Sequence, residues 1–169
     1  MTSYEKSKTT ADADHYYGKA KYPILQLNIY NMVPSCNVCN SKTKGQKEKR
    51  HLYPYRDSSD SLTFWVPLEV GDKVSKIEID TKDNKKAEAS VEVFKLDKIY
   101  QAHLKEASEV KKHIYQYQKY KEEVYKNEFG LDIPFSIQDA WFDFMRKEIS
   151  DEPLIKLKQD IYKQYKADM

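Results

Sequence analysis

A run of apolar residues at helical spacing governs the second half of the chain. Between Asp97 and about Asn127, Ile99, His103, Ala107, Val110, Ile114, Tyr117 and Val124 recur at steps of three, four or seven, the pattern of a long helix that buries one face. Gly130 and Pro134 end it, a second helix is expected from Ser136 to about Ile149, and Pro153 followed by Leu154, Leu157 and Ile161 marks a third. Seven of the fourteen tyrosines fall on these segments. On helices they are read as core or interface residues rather than as platforms for bases.

Upstream, the texture changes. Residues 62–66, 74–80 and 87–94 have strand composition, with Ile77/Ile79 and Val91/Val93 alternating with charged residues. The polar tip Lys82-Asp83-Asn84-Lys85 between the last two predicts a hairpin. Residues 1 to 60 hold Gly18, Pro23, Pro34, Gly45 and Pro54, which break the chain into short segments. Here a strand ending near His15, a loop through Tyr22-Pro23-Ile24-Leu25, a strand near Ile29 to Val33 and a helix from about Asn37 to Gln46 are expected. The fold class is thus α+β: a small motif in 1–60, a small antiparallel β region in 61–96 and a helical extension in 97–169.

A charged fraction of 33% and a mean hydropathy of -0.86 argue for a soluble protein. No apolar run approaches the roughly 18 residues of a membrane span. The first eight residues lack an apolar h-region, so a cytoplasmic, reducing compartment is expected, with Cys36 and Cys39 as thiols or metal ligands. Net charge is only +2, yet residues 1–60 carry ten Lys or Arg against six Asp or Glu. Lys42, Lys44, Lys47, Lys49 and Arg50 crowd one short stretch, a cluster able to neutralise phosphates on a polyanion. Alone, such a cluster is more often a solvated loop.

The candidate chemistry begins at Asp12-Ala13-Asp14-His15. Asn31 follows His15 by sixteen residues, and Asn40 comes nine later, closing Cys36-Asn37-Val38-Cys39-Asn40. An acid, an imidazole and two amides at this spacing suit metal-assisted cleavage of a phosphodiester. The stretch from Asp12 to Gly45, with Asp-x-Asp-His, Tyr-Pro, Asn-Met-Val-Pro-Ser-Cys, Cys-x-x-Cys-Asn and a Lys-Gly soon after, resembles the HNH endonucleases and their ββα-metal motif. The likeness continues more weakly through His51-Leu52-Tyr53-Pro54-Tyr55 to Pro153–Ile161.

The resemblance implies roles. His15 would be the general base, Asp14 and Asn40 would hold one Mg²⁺ or Mn²⁺ through hard oxygens, and Asn31 would brace the loop between the strands. Lys44, or Lys42 in its place, would touch a phosphate. The substrate would be DNA, cut to 5′ phosphate and 3′ hydroxyl ends, although one bound phosphate does not distinguish DNA from RNA or duplex from single strand. Relatives of this kind serve in bacterial antiphage defence beside an ATPase subunit, which the helical extension could dock.

Two departures stand out. Many HNH proteins carry a second Cys-x-x-Cys upstream, completing a structural Zn²⁺ site, but no cysteine precedes Cys36 here. Cys36 and Cys39 are then a zinc half-site, expected to be incomplete in this chain, with His51, His103 and His113 the only spare histidines. The other departure is Gly18, where relatives often have proline. The rival reading is a non-catalytic nucleic-acid-binding or assembly subunit with a degenerate HNH fold.

Overall fold

The computed structural model describes residues 11–67, 71–131, 138, 140–148 and 154–166. It is α+β, with two separate two-stranded antiparallel sheets among the described residues. The contacts gather into two units: residues up to Leu62 with Thr81–Leu96, and Thr63–Asp80 with the residues from Asp97 onward. The stretch expected to form one β region is therefore divided between them.

In the first unit, β1 (Asp12–His15) pairs antiparallel with β2 (Met32–Ser35), setting Asp14 opposite Val33 and His15 opposite Met32. A one-turn-and-a-half helix, Val38–Lys44, follows. The order is strand, strand, helix. The second strand starts later than expected, because Asn28 caps a 3₁₀ turn over Ile29–Asn31 by accepting the Tyr30 N–H at 2.9 Å. Helix Val38–Lys44 has π geometry throughout, and the Gly45 N–H donates to the Asn40 carbonyl at 2.8 Å. Gly45 then stops it at φ +53°, a conformation that glycine adopts without strain.

The expected hairpin strand at 87–94 is instead helix α1 (Lys85–Phe94). Alternating Val and Glu over a few residues fits either period, and the local signals decide for helix. Asn84 caps α1 by accepting the N–H groups of Lys86 and Ala87, and Ala87, Ser90 and Val93 recur three apart on its buried side. Lys95 closes it in the left-handed region at φ 53°.

This unit has few buried apolar side chains. Ile24, Leu27, Ile29 and Tyr30 on the loop between β1 and β2 face outward, while Asp14, Asn31, Lys44 and His51 are buried. Its interior is a polar network flanked by aromatic contacts: Tyr16 lies 4.8 Å from both His51 and Tyr53, and His51 lies 5.0 Å from Phe94. Buried polar groups of this kind are stable only when fully partnered.

In the second unit, β3 (Thr63–Trp65) pairs with β4 (Glu78–Asp80). The strand expected over 74–80 is shortened because Val74 donates to Ser108 Oγ and Ile77 to Gln101 Oε1, so these backbone groups bond helix side chains rather than a strand. The single long helix expected over 97–127 is segmented. It runs as α2 (Leu96–Ile99), a 3₁₀ turn Tyr100–His103, α3 (Leu104–Tyr120), a π turn Lys121–Lys126 and α4 (Asn127–Phe129), ending at Gly130 with φ 63°. The second expected helix lies partly outside the described residues; within them, residues 138, 140 and 141 are helical and Asp143–Arg146 is a 3₁₀ turn. The third is α5 (Ile155–Lys166).

α3 and α5 supply the core, with Ala107, Val110, Ile114 and Tyr117 of one and Ile155, Leu157, Ile161, Tyr162 and Tyr165 of the other buried. Phe142 packs 4.4 Å from Tyr162 and 4.9 Å from Tyr117, so several of the helical tyrosines are core residues. α5 also satisfies the free side of β3: Asp160 Oδ2 accepts the Phe64 N–H, and Gln164 bonds both the N–H and the carbonyl of Val66. No helix among the described residues is long and apolar enough to cross a membrane.

Candidate functional site

β1 ends at the chemistry. Asp14, His15, Asn40 and Lys44 line one cavity of about 430 Å³, with Ala13, Gly18 and Lys47 also on its wall. β1 brings the first two there, and helix Val38–Lys44 the others.

His15 is held by its ring. Its Nε2 lies 3.0 Å from the Gln26 carbonyl oxygen, and a carbonyl only accepts, so Nε2 carries the proton and Nδ1 keeps a lone pair. The Gln26 carbonyl is in turn placed by the loop that Asn31 braces. Asn31 is 4% exposed; its Oδ1 accepts the Tyr17 N–H at 2.7 Å, and its Nδ2 donates to the Tyr17 and Leu25 carbonyls at 3.0 and 3.1 Å. The two bonds to Tyr17 tie the β1 end of the loop to its β2 end, and the third holds the Pro23–Leu25 turn in its middle. Gly18 sits in this loop without a positive φ, so glycine is not required there by backbone conformation.

Asp14 is 7% exposed and Lys44 4%. The Lys44 ammonium donates to Asp14 Oδ1 at 2.7 Å, to Asp14 Oδ2 at 2.8 Å and to the His15 carbonyl at 2.7 Å. Lys44 therefore faces inward, away from any surface phosphate. Three oxygens around one positive charge are a cradle whose chemistry suits a cation. Asn40, also on the cavity, donates through Nδ2 to Asp12 Oδ2 at 3.4 Å, and Asn37 does so at 3.1 Å, which leaves the Asn40 amide oxygen as a hard donor. Among the described residues no group of three or more His, Cys, Asp or Glu side chains gathers as a ligand set. A divalent ion here would depend on Asp14 together with amide and backbone oxygens. Asp12 and the inward turn of Lys44 are the parts that sequence reasoning missed; in an i, i+4 pair such as Asn40 and Lys44, spacing alone does not say which side chain faces in.

The remaining basic residues are spread about. Lys42, Lys47, Lys49 and Arg50 are exposed; Lys49 pairs with Glu92, and Lys47 Nζ reaches the Val93 carbonyl at 3.4 Å.

The two cysteines are free thiols at the start of the helix. The Cys39 N–H donates to Cys36 Sγ at 3.3 Å; this bond pulls the Cys36 thiol below its usual range, whereas burial, then the neighbouring sulfur, push Cys39 up to about 11. Since the thiolate is the nucleophile, iodoacetamide at neutral pH is expected to label Cys36 well before Cys39, as peptide mass spectrometry would read. Equal labelling would show that the Cys39 N–H does not polarise Cys36.

Of the histidines weighed as zinc ligands, His113 and His51 are hydrogen-bonded to backbone carbonyls, while His103 Nδ1 makes no hydrogen bond among the described residues. His113 Nε2 bonds the Trp141 carbonyl at 2.8 Å, and His103 Nδ1 faces Glu106 at 3.6 Å. His51 is buried, with Nδ1 on the Lys49 carbonyl at 3.0 Å, and burial pushes its imidazole below the ordinary 6.5. The unfolded chain then takes up this proton first as pH falls, so stability is full above about 6.5 and drops below it until the lower folded value is reached. Unfolding midpoints between about pH 7.5 and about pH 5 should fall less steeply in His51→Phe than in wild type; parallel profiles would remove His51 as a source.

Compared with protein-family models, with curated proteins and with solved structures, the chain finds no match.

Proposed function

We propose that this chain is a metal-dependent endonuclease of the HNH type that hydrolyses DNA phosphodiester bonds. The observation that carries the reading is the His15 ring, which lines the same cavity as Asp14 and Asn40 while its Nε2–H is committed to the Gln26 carbonyl. That bond leaves Nδ1 to take a proton from water, the task a general base performs in phosphodiester hydrolysis. Asn31 fixes the loop that supplies the carbonyl, so it is a positioning residue. A divalent ion held by Asp14 and Asn40 supplies, when bound, charge stabilisation for the scissile phosphate and the departing 3′ oxygen. Lys42, Lys47 and Arg50, exposed in or near the cavity-lining segment, would meet the DNA backbone.

The setting we favour is bacterial antiphage defence in the cytoplasm, with an ATPase or other defence subunit as partner; this rests on the sequence resemblance. The rival, a non-catalytic nucleic-acid-binding subunit, draws support from the Lys44 ammonium that already neutralises Asp14. Cleavage of supercoiled plasmid by the purified chain with Mg²⁺, with Mn²⁺ and with EDTA separates them. Nicking that needs the metal is the expected result, and a folded, metal-supplied protein that binds DNA without cutting it would favour the rival.

A further inference from the structure

We infer that Lys44 is the resident counter-ion of Asp14, and that a divalent cation enters the site by displacing its ammonium, so that Lys44 sets how much metal the site needs. The inference rests on the proposed metal-binding reading of the cavity and adds to it a residue that decides when the metal binds.

The argument starts from an imbalance. A buried carboxylate without a partner is costly, and one partnered by a buried ammonium is stable only if the remaining hydrogen-bonding capacity of both groups is met. Here it is met closely, since Lys44 Nζ spends three donors on Asp14 Oδ1, Asp14 Oδ2 and the His15 carbonyl, all within 2.8 Å. Both side chains are under a tenth exposed. A metal ion that bonds Asp14 must share or take these oxygens. An ammonium and a divalent ion a few ångströms apart repel strongly in so buried a place, so displacement is favoured over sharing.

The surroundings allow it. Lysine carries its charge on a flexible four-carbon stem, and Asp14 and Lys44 both line the cavity of about 430 Å³, which gives the ammonium somewhere to go. Lys44 also ends the π turn, next to Gly45 at φ +53°. Each metal-binding event must therefore break the three bonds that the ammonium makes, and the measured affinity is lowered by that cost. In the metal-free protein, the same bonds hold β1 to helix Val38–Lys44.

The test is Mn²⁺ binding, read by the electron paramagnetic resonance signal of free Mn²⁺, on wild type, Lys44→Met and Asp14→Asn, each shown to be folded by circular dichroism. Methionine keeps the length of the side chain and removes its charge. Lys44→Met should bind Mn²⁺ at least about tenfold more tightly than wild type, and Asp14→Asn should bind it more weakly than wild type. Equal or weaker binding by Lys44→Met, with wild type still binding, would overturn the displacement while leaving the metal site standing. No binding by either folded protein would remove the metal reading of this cavity, and the inference with it. Should Lys44→Met fail to fold, wild type with ¹⁵Nζ-labelled lysine answers the same question. Lys111 is fully buried as well, so protected ammonium resonances of Lys44 and Lys111 should be present without metal, and on adding Mg²⁺ the Lys44 resonance should join the exposed lysines while that of Lys111 stays; a Lys44 resonance unmoved by saturating Mg²⁺ overturns the inference.

Discussion

His15→Ala should lower plasmid cleavage by about a thousandfold, within the range that a positioned general base contributes, while DNA binding measured by gel shift changes little. The asymmetry is expected because the His15 ring offers one nitrogen to the chemistry and one hydrogen bond, to the Gln26 carbonyl, to the fold. Losing one exposed bond costs at most about 1 kcal/mol, too little to unfold the chain. Added imidazole should restore part of the lost rate, since a free base can enter the vacated space beside the cavity. A variant that cuts within a few-fold of wild type would remove His15 from the mechanism; a variant that loses cleavage and also its folded circular dichroism spectrum would make the residue structural.

The largest effect on stability should come from Asn31. Asn31→Ala removes the partner of the half-buried Tyr17 N–H and of the Tyr17 and Leu25 carbonyls, which amounts to about 3 kcal/mol when unsatisfied groups are included. Asn31→Asp makes a sharper probe. Its carboxylate could still accept from Tyr17, but its second oxygen would face the two carbonyls that now receive the Asn31 amide. Aspartate should therefore be at least as damaging as alanine in chemical denaturation, and cleavage should fall with it because the loop that carries Gln26 is released. If Asn31→Asp unfolds at the wild-type denaturant concentration, donation by the amide is not what holds the loop.

Much of the fold could be read ahead where a single period dominated. Ala107, Val110, Ile114 and Tyr117 announce α3 because helix spacing puts all four on one face, and the same spacing at Leu157 and Ile161 announces α5. β1 could be read as ending at His15, and the following helix could be placed near Asn37. Residues 87–94 were misleading because Val91, Glu92 and Val93 alternate as a strand would, whereas Asn84, a cap three residues before Ala87, carries the decisive signal in one side chain. Ile29 and Tyr30 look like strand residues, yet Asn28 turns them into a 3₁₀ turn and leaves their side chains in solvent. At the site, the residue types were legible and the pairing was not. Nothing in the spacing of five basic residues says that the Lys44 ammonium lies against Asp14 while Lys42 lies outside, since that depends on a π turn which changes the angular step between side chains.

The interleaving of the two units has a consequence for synthesis. The chain leaves the first unit after Leu62 and returns to it at Thr81–Leu96, so the segment bearing Asp14, His15 and Asn40 must wait for α1 before its helix Val38–Lys44 gains the neighbour it packs on. Meanwhile residues 63–80 emerge without their partners, since β3 relies on Asp160 and Gln164 for its outer hydrogen bonds. Because chains emerge at only about 5–20 residues each second, strand β3 spends several seconds beside the ribosome with an open edge. A nascent chain stalled before α5 should therefore be more prone to self-association and to capture by chaperones than one stalled just after it.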